Sequence, residues 1–300
     1  LVKEPTPEQA VVLEQAGLAV DAGEYAKALE LFRSLLARNP MLVDAQVGLA
    51  GTYEAMGDLA RAEPAYARAV ALDTENFDAL LGHGRVLAAL DRTTEAIRAF
   101  HRALIVRPDS IAANLGMAAA YLRVGQAEAA VAFAEKAVQL APSDGEARIN
   151  LAVAYERAGR VPDAIRAFET SLELVEPRPD VLTSLVNLYA AERRYVEAIN
   201  TAQELIRIAP SANAWERLGW AYFRVGDYVQ SADAYRQAVA LEPNHWPALN
   251  GVATNALNRW LQSGRSDDAA RLEARTAFGR SLQANPDQPR VVAILTKYAP

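Results

Sequence analysis

Apolar positions along this chain return at helical spacing, three and four residues apart, in blocks of about a dozen residues, too short to be firmly stable as isolated helices. The clearest block is WERLGWAYFRVGDY, where Trp215, Leu218, Gly219 and Tyr222 share one stripe. The blocks recur with a fixed period: Pro40, Thr74, Pro108 and Pro142 stand 34 residues apart. The turn positions Gly23, Gly57, Asp91, Gly125, Gly159 and Arg193 keep the same period, and Gly226 follows after a step of 33. A repeat of this length, read as helix, turn, helix, predicts stacked helical hairpins that bury their apolar stripes only against neighbours.

Two further ladders support that reading. Five residues beyond the turns lie small side chains, Ala28, Ala62, Ala96, Ala130, Ala164, Ala198 and Ser231, which let two helices cross closely. Nine residues beyond the turns lie Phe32, Tyr66, Phe100, Ala134, Phe168, Ala202 and Tyr235, mostly large groups that fill the space beside the small ones. With Trp215, Leu218, Gly219 and Tyr222 followed by Ser231, Tyr235, Ala238 and Pro243, the chain resembles a tetratricopeptide repeat (TPR) protein. An earlier repeat carries Ala96, Phe100, Ala103 and Pro108 at the later positions. The departures are Thr74 for Pro, Val186 for the small residue before Tyr189, and Ala134 and Ala202 for the large ring. The resemblance implies an all-α fold, a right-handed superhelical solenoid of antiparallel helix pairs whose first helices line a concave groove.

The repeats are placed at 9–42, 43–76, 77–110, 111–144, 145–178, 179–211 and 212–245, with an enlarged eighth ending near Pro286, so that about eight repeats span 9–286. The eighth is longer because Pro243 and Pro286 are 43 residues apart. Residues 287–300 are expected to form a C-terminal capping helix, with Val291, Leu295 and Tyr298 on one face. Of the 300 residues, 51% are apolar and 23% charged, which suits a large folded body, and the net charge of −6 disfavours a nucleic-acid surface. Cys is absent, so disulfides, thiolate metal sites and a cysteine nucleophile are excluded. No apolar run reaches the roughly 20 residues of a membrane span.

Catalytic chemistry finds no foothold. His83, His101 and His245 fall in separate repeats, and no HExxH or phosphate-loop motif is present. Asp267 and Asp268 suit the first turn of a helix rather than an acid/base pair. The expectation is a noncatalytic scaffold without cofactor or metal, binding a peptide or helix in its groove. Outward positions of the first helices carry Asp44, Glu54, Asp78, Glu146, Glu156, Asp180 and Glu216, with Arg85 as the positive exception. This acidity points to a basic or amphipathic partner. Leu115, Leu122, Ile149 and Val153 are read as apolar outward positions, and Asn187, Trp220 and Phe223 as an amide and two aromatic anchors.

Competing readings stand beside these. Surface carboxylates also serve solubility, and Trp220 and Phe223 could pack on the eighth repeat instead of on a partner. The Lys and Asn clamp by which some proteins of this family hold a peptide C-terminus is missing, since the matching pairs are Leu13/Gly17, Val47/Gly51 and Leu81/Arg85. Homotypic assembly through the terminal repeats and an accessory module of a larger enzyme are the alternative functions. The start at Leu1 rather than Met fits a cytoplasmic piece or an exported, processed product equally.

Overall fold

The computed structural model describes residues 4–300, and among them every regular element is an α-helix. Backbone contacts gather the helices into two compact units, one ending at Leu174 and the other spanning Val175–Pro300. The first unit holds five helical hairpins: α1 (Pro7–Asp21) with α2 (Tyr25–Arg38), α3 (Val43–Ala55) with α4 (Leu59–Leu72), α5 (Phe77–Ala89) with α6 (Thr93–Val106), α7 (Ile111–Arg123) with α8 (Ala127–Leu140), and α9 (Gly145–Arg157) with α10 (Val161–Leu172). The second holds α11 (Pro179–Ala191) with α12 (Tyr195–Ile208), α13 (Ala212–Val225) with α14 (Tyr228–Leu241), α15 (Trp246–Gln262) with α16 (Asp268–Ala284), and a last helix α17 (Pro289–Tyr298). Each unit is an all-α repeat solenoid.

Local chemistry sets the helix ends. Asn76, Ser110 and Asp144 stand at one repeat position, and their side chains accept from the backbone N–H of Ala79, Ala113 and Ala147. Each satisfies a donor that the first turn would otherwise leave open. Inside the hairpins the first helix closes with a left-handed residue and a backbone bond reaching back five positions, as from Asp58 N to Tyr53 O, Arg92 N to Leu87 O and Arg194 N to Tyr189 O. Gly57 and Gly159 take the left-handed conformation freely, but Asp91 (φ 60°) and Arg193 (φ 59°) must hold it with a side chain. Arg193→Gly should therefore stabilise the second unit by about 0.5–1 kcal/mol. Chemical denaturation checks this, and a destabilised variant would contradict the turn account.

The large and small ladders meet in the core. Ala28, Ala62, Ala96, Ala130, Ala164, Ala198 and Ser231 are wholly buried. The Phe100 ring lies between Gly84 of α5 and Gly116 of α7, where a Cβ would approach it to 2.6 and 2.7 Å. Tyr235 is gripped likewise by Gly219 of α13 and Gly251 of α15, at 2.9 and 2.4 Å. These two rings thus need a residue without a side chain in their own hairpin and another in the next. The two repeats that lack the ring show the converse. Where Ala134 stands, the position corresponding to Gly116 carries Asn150, and where Ala202 stands, the position corresponding to Gly251 carries Arg217. Loss of the ring leaves room for a longer side chain on the following first helix.

In each unit successive first helices touch directly, α1 to α3 through α9 and α11 to α13 to α15, whereas no two second helices come as close among the described residues. Each unit therefore bends toward its first helices, whose free faces line the inner side. In the second unit α15 and α16 are the longest helices, with 17 residues each. Val291, Ile294, Leu295 and Tyr298 of α17 join the apolar core that α15 and α16 share. Buried Gln288, just before α17, ties it down by donating to Ser281 O (3.0 Å) and Asn285 O (2.8 Å).

Candidate functional site

Spacing decides what the inner faces carry. On α13, Glu216, Trp220 and Phe223 are four and three residues apart and so share one face. On α15, Trp246, Asn250 and Thr254 do the same at steps of four. These two faces, with Asn187 and Ala190 from α11, enclose two adjoining depressions that share Glu216 and Trp220. One, of about 280 Å³, lies between α11 and α13 and is lined by Val186, Asn187, Ala190, Glu216, Arg217 and Trp220. The other, of about 350 Å³, lies between α13 and α15 and includes Phe223, Tyr235, Trp246, Asn250 and Thr254.

Hydrogen bonds hold most of the groove's polar groups in place. Arg217 donates from Nε to Asn187 Oδ1 (3.0 Å), which leaves the Asn187 amide Nδ2 for an incoming group. Arg224 donates to the Tyr195 hydroxyl (2.7 and 3.1 Å) and lies over the Trp220 ring, 5.6 Å from its centroid. Trp220 meets Tyr195 edge to face at 5.7 Å, and Phe223 meets Tyr228 at 5.3 Å. These contacts fix the ring orientations yet leave both rings only half-buried. Glu216 differs from its neighbours: it accepts no hydrogen bond from the described residues. Burial pushes its carboxyl above the ordinary carboxylate range, against the opposing pull of Arg217 and His245. His245 serves structure, its Nδ1 accepting from Ala248 N at the start of α15 while Nε2 bonds to Asn213 Oδ1 at 2.9 Å.

Most of the remaining acidic positions have local explanations. Asp44, Asp78, Glu146 and Asp180 each lie in the first turn of a first helix, where the helix dipole favours a negative charge. Asp180 is also paired with Arg178 at 2.6 Å, an interaction that holds its carboxyl below the usual range. Glu54 and Arg85 meet in a two-pronged ion pair (2.9 and 3.0 Å) that ties α3 to α5, and the Tyr66 hydroxyl donates to the same carboxylate at 2.7 Å. Burial alone would raise the Glu54 carboxyl, but Arg85 and Tyr66 together hold it below its ordinary range. Glu156 is half-buried on α9. The acidity of the first unit's inner face is thus partly spent on helix starts and on one cross-helix tie, while Glu156 on α9 and Glu216 on α13 are half-buried carboxylates without an ion-pair partner among the described residues.

Ile149, expected to face outward, is 6% exposed and belongs to the core, while Leu115, Leu122 and Val153 are half-buried. Trp246, Asn250 and Thr254 line the groove and Tyr195 packs on Trp220, though none is among the outward positions expected from the sequence. The spacing of Trp246, Asn250 and Thr254 at steps of four could have placed them on one face. Nothing in the sequence marks Tyr195, which reaches Trp220 from a second helix. Among the described residues no group of three or more His, Cys, Asp or Glu side chains could hold a metal ion, and no helix is long and apolar enough to cross a membrane.

Paired helices stacked around an inner face of this kind define a helical-repeat scaffold of the protein-interaction class. Residues 13–77 and 212–245 match tetratricopeptide repeats, and residues 46–176 match the middle TPR-like domain of cilia and flagella-associated protein 70. The chain belongs to the tetratricopeptide repeat family, whose members generally mediate protein–protein interaction and are typically noncatalytic. Superkiller protein 3 of Schizosaccharomyces pombe is 38% identical over 73 residues, which are 24% of this chain and 5% of that protein. The chain therefore spans only a small part of that curated relative. Among solved structures, the C-terminal part of a TPR repeat-containing protein from Cytophaga hutchinsonii superposes with a TM-score of 0.66 at 18% identity, covering 80% of this chain and 99% of that one. YrrB, described as a TPR protein with an unusual peptide-binding site, superposes with a TM-score of 0.56 at 16% identity, covering 67% of this chain and 99% of that one. At these identities the likeness concerns the fold.

Proposed function

We propose that the chain is a noncatalytic scaffold whose second unit binds a peptide segment or helix of a partner protein along the faces of α11, α13 and α15. The observation that supports this most is the convergence of Asn187, Glu216, Trp220, Phe223 and Trp246 on two adjoining depressions. Half-buried aromatic rings beside fixed polar groups are the composition of an interaction hot spot, since the rings bury large area at small entropic cost. The Asn187 amide is positioned to pair with a peptide backbone carbonyl. Phe223 and Trp220 do lie beside the eighth repeat, but α15 forms the opposite wall of the groove rather than a lid on their rings. The YrrB description is consistent with peptide binding on this fold.

The reading is tested by selecting a displayed library of random nonapeptides on the whole immobilised chain. The expected result is enriched sequences that compete with one another for one site and lose affinity on Trp220→Ala. Absence of any enriched peptide, or binding unaffected by Trp220→Ala, would overturn it.

A further inference from the structure

The depression between α13 and α15 has an unbalanced hydrogen-bond chemistry. Two acceptors on residues that line it lack donors among the described residues. Among the described residues the Glu216 carboxylate accepts no hydrogen bond, and Asn250 Oδ1 is a buried oxygen without a partner. The orientation of Asn250 follows from its neighbours. Gln288 donates through Nε2 to Ser281 O and Asn285 O, so its Oε1 must be the acceptor toward Asn250. Asn250 Nδ2 accordingly donates to Gln288 Oε1 at 2.6 Å, which leaves Oδ1 as the unsatisfied atom. The other walls include the Trp220, Phe223 and Trp246 rings, with Trp246 41% exposed, and Arg224 stands at the Trp220 side.

The cations near this depression form their hydrogen bonds with other groups. Arg224, which lines this depression, directs Nε and Nη2 to the Tyr195 hydroxyl, Arg217 lines the other depression and reaches Asn187, and His245 is bonded to Asn213. None of them donates to Glu216. A half-buried carboxylate without a donor is costly, and its complement is a group that supplies both positive charge and N–H donors. Aromatic faces beside it add attraction for the same kind of group.

We infer that the depression between α13 and α15 is a subsite for a cationic side chain, arginine or lysine, of the bound peptide, with Glu216 as its counter-charge and the rings of Trp220 and Trp246 as its walls. This rests on the groove reading above and names the residue class that the groove selects. A planar guanidinium suits it best, because it can pair with a carboxylate through two donors and stack on a ring at once. The raised position of the Glu216 carboxyl agrees: a carboxyl whose folded value exceeds its unfolded one costs stability once pH rises through the folded value, and a bound cation relieves that cost.

The test uses acetylated, amidated nonapeptide pools, randomised except for a central Arg, Lys, norleucine or Glu, titrated against the whole chain by fluorescence polarisation. The Arg and Lys pools should bind about tenfold more tightly than the norleucine pool, as expected for one charge-assisted contact. Glu216→Gln should erase that preference and flatten its salt dependence, keep the norleucine affinity, and leave the melting temperature unchanged or raised. Equal affinity of the norleucine and Arg pools, or a preference that survives Glu216→Gln, overturns the cation subsite while leaving the groove in place. If no pool binds, or if Trp220→Ala leaves every pool unaffected, the groove reading itself falls.

Discussion

Phe100→Ala should destabilise the first unit by about 3–5 kcal/mol, the range for removing a buried aromatic ring where the surroundings cannot collapse. Phe100 is 2% exposed and fills the space between Gly84 and Gly116. Neither glycine has a side chain that could move into the vacancy, so the cavity would persist. Because stacked repeats owe stability to their nearest neighbours, the loss falls on the α5–α6 hairpin and its contact with α7. Denaturant unfolding followed by circular dichroism measures it. The same packing rule predicts a partial rescue: Gly116→Asn added to Phe100→Ala recreates the pairing of Ala134 with Asn150 and should recover part of the loss. A cost below about 1 kcal/mol for Phe100→Ala would contradict the clamp, since that is the scale of a site able to close up.

Much of this architecture is legible in the chain because the constraints are local and periodic. A left-handed turn, a small crossing residue and a large filling residue each recur at fixed offsets, so Ala96 and Phe100 announce their roles without any structure. The compensation at Ala134 and Ala202 is less visible because it links residues in different repeats, and Asn150 and Arg217 look like ordinary surface residues until the next hairpin is stacked. The candidate site is harder again. Spacing assigns Glu216, Trp220 and Phe223 to one face, but it cannot say which carboxylate has a partner. Glu54 is claimed by Arg85, 31 positions away, and Asp180 by Arg178, so a count of acidic positions overstates the free negative charge. Trp246 belongs to the groove only because α15 packs beside α13, a relation set by tertiary stacking and not by local pattern.

Trp220→Ala should weaken a groove-bound peptide by about 30- to 100-fold, or about 2–3 kcal/mol, the size of an aromatic hot-spot truncation. Trp220 borders both depressions, so its removal merges them and takes away a wall from each. Folding should suffer less, by about 1–2 kcal/mol, because the ring is half-buried, although it packs on the core around Tyr235 and Ala248 and meets Tyr195 edge to face. Calorimetric titration of a selected peptide, set beside denaturant unfolding of the same variant, gives the two numbers. Equal losses of binding and folding would favour a packing role for Trp220. Phe223, at the α15 edge and braced by Tyr228, should show the same inequality with a smaller binding loss.

The most direct measurement is amide-shift mapping of a selected nonapeptide on the isotopically labelled chain. The account predicts that perturbed amides cluster on α11, α13 and α15, around Asn187, Glu216, Trp220 and Asn250, with α12, α14 and α16 largely unmoved. Perturbations confined to α12, α14 and α16 would contradict it, because the peptide would then lie on the outer face, away from the residues that give the groove its chemistry.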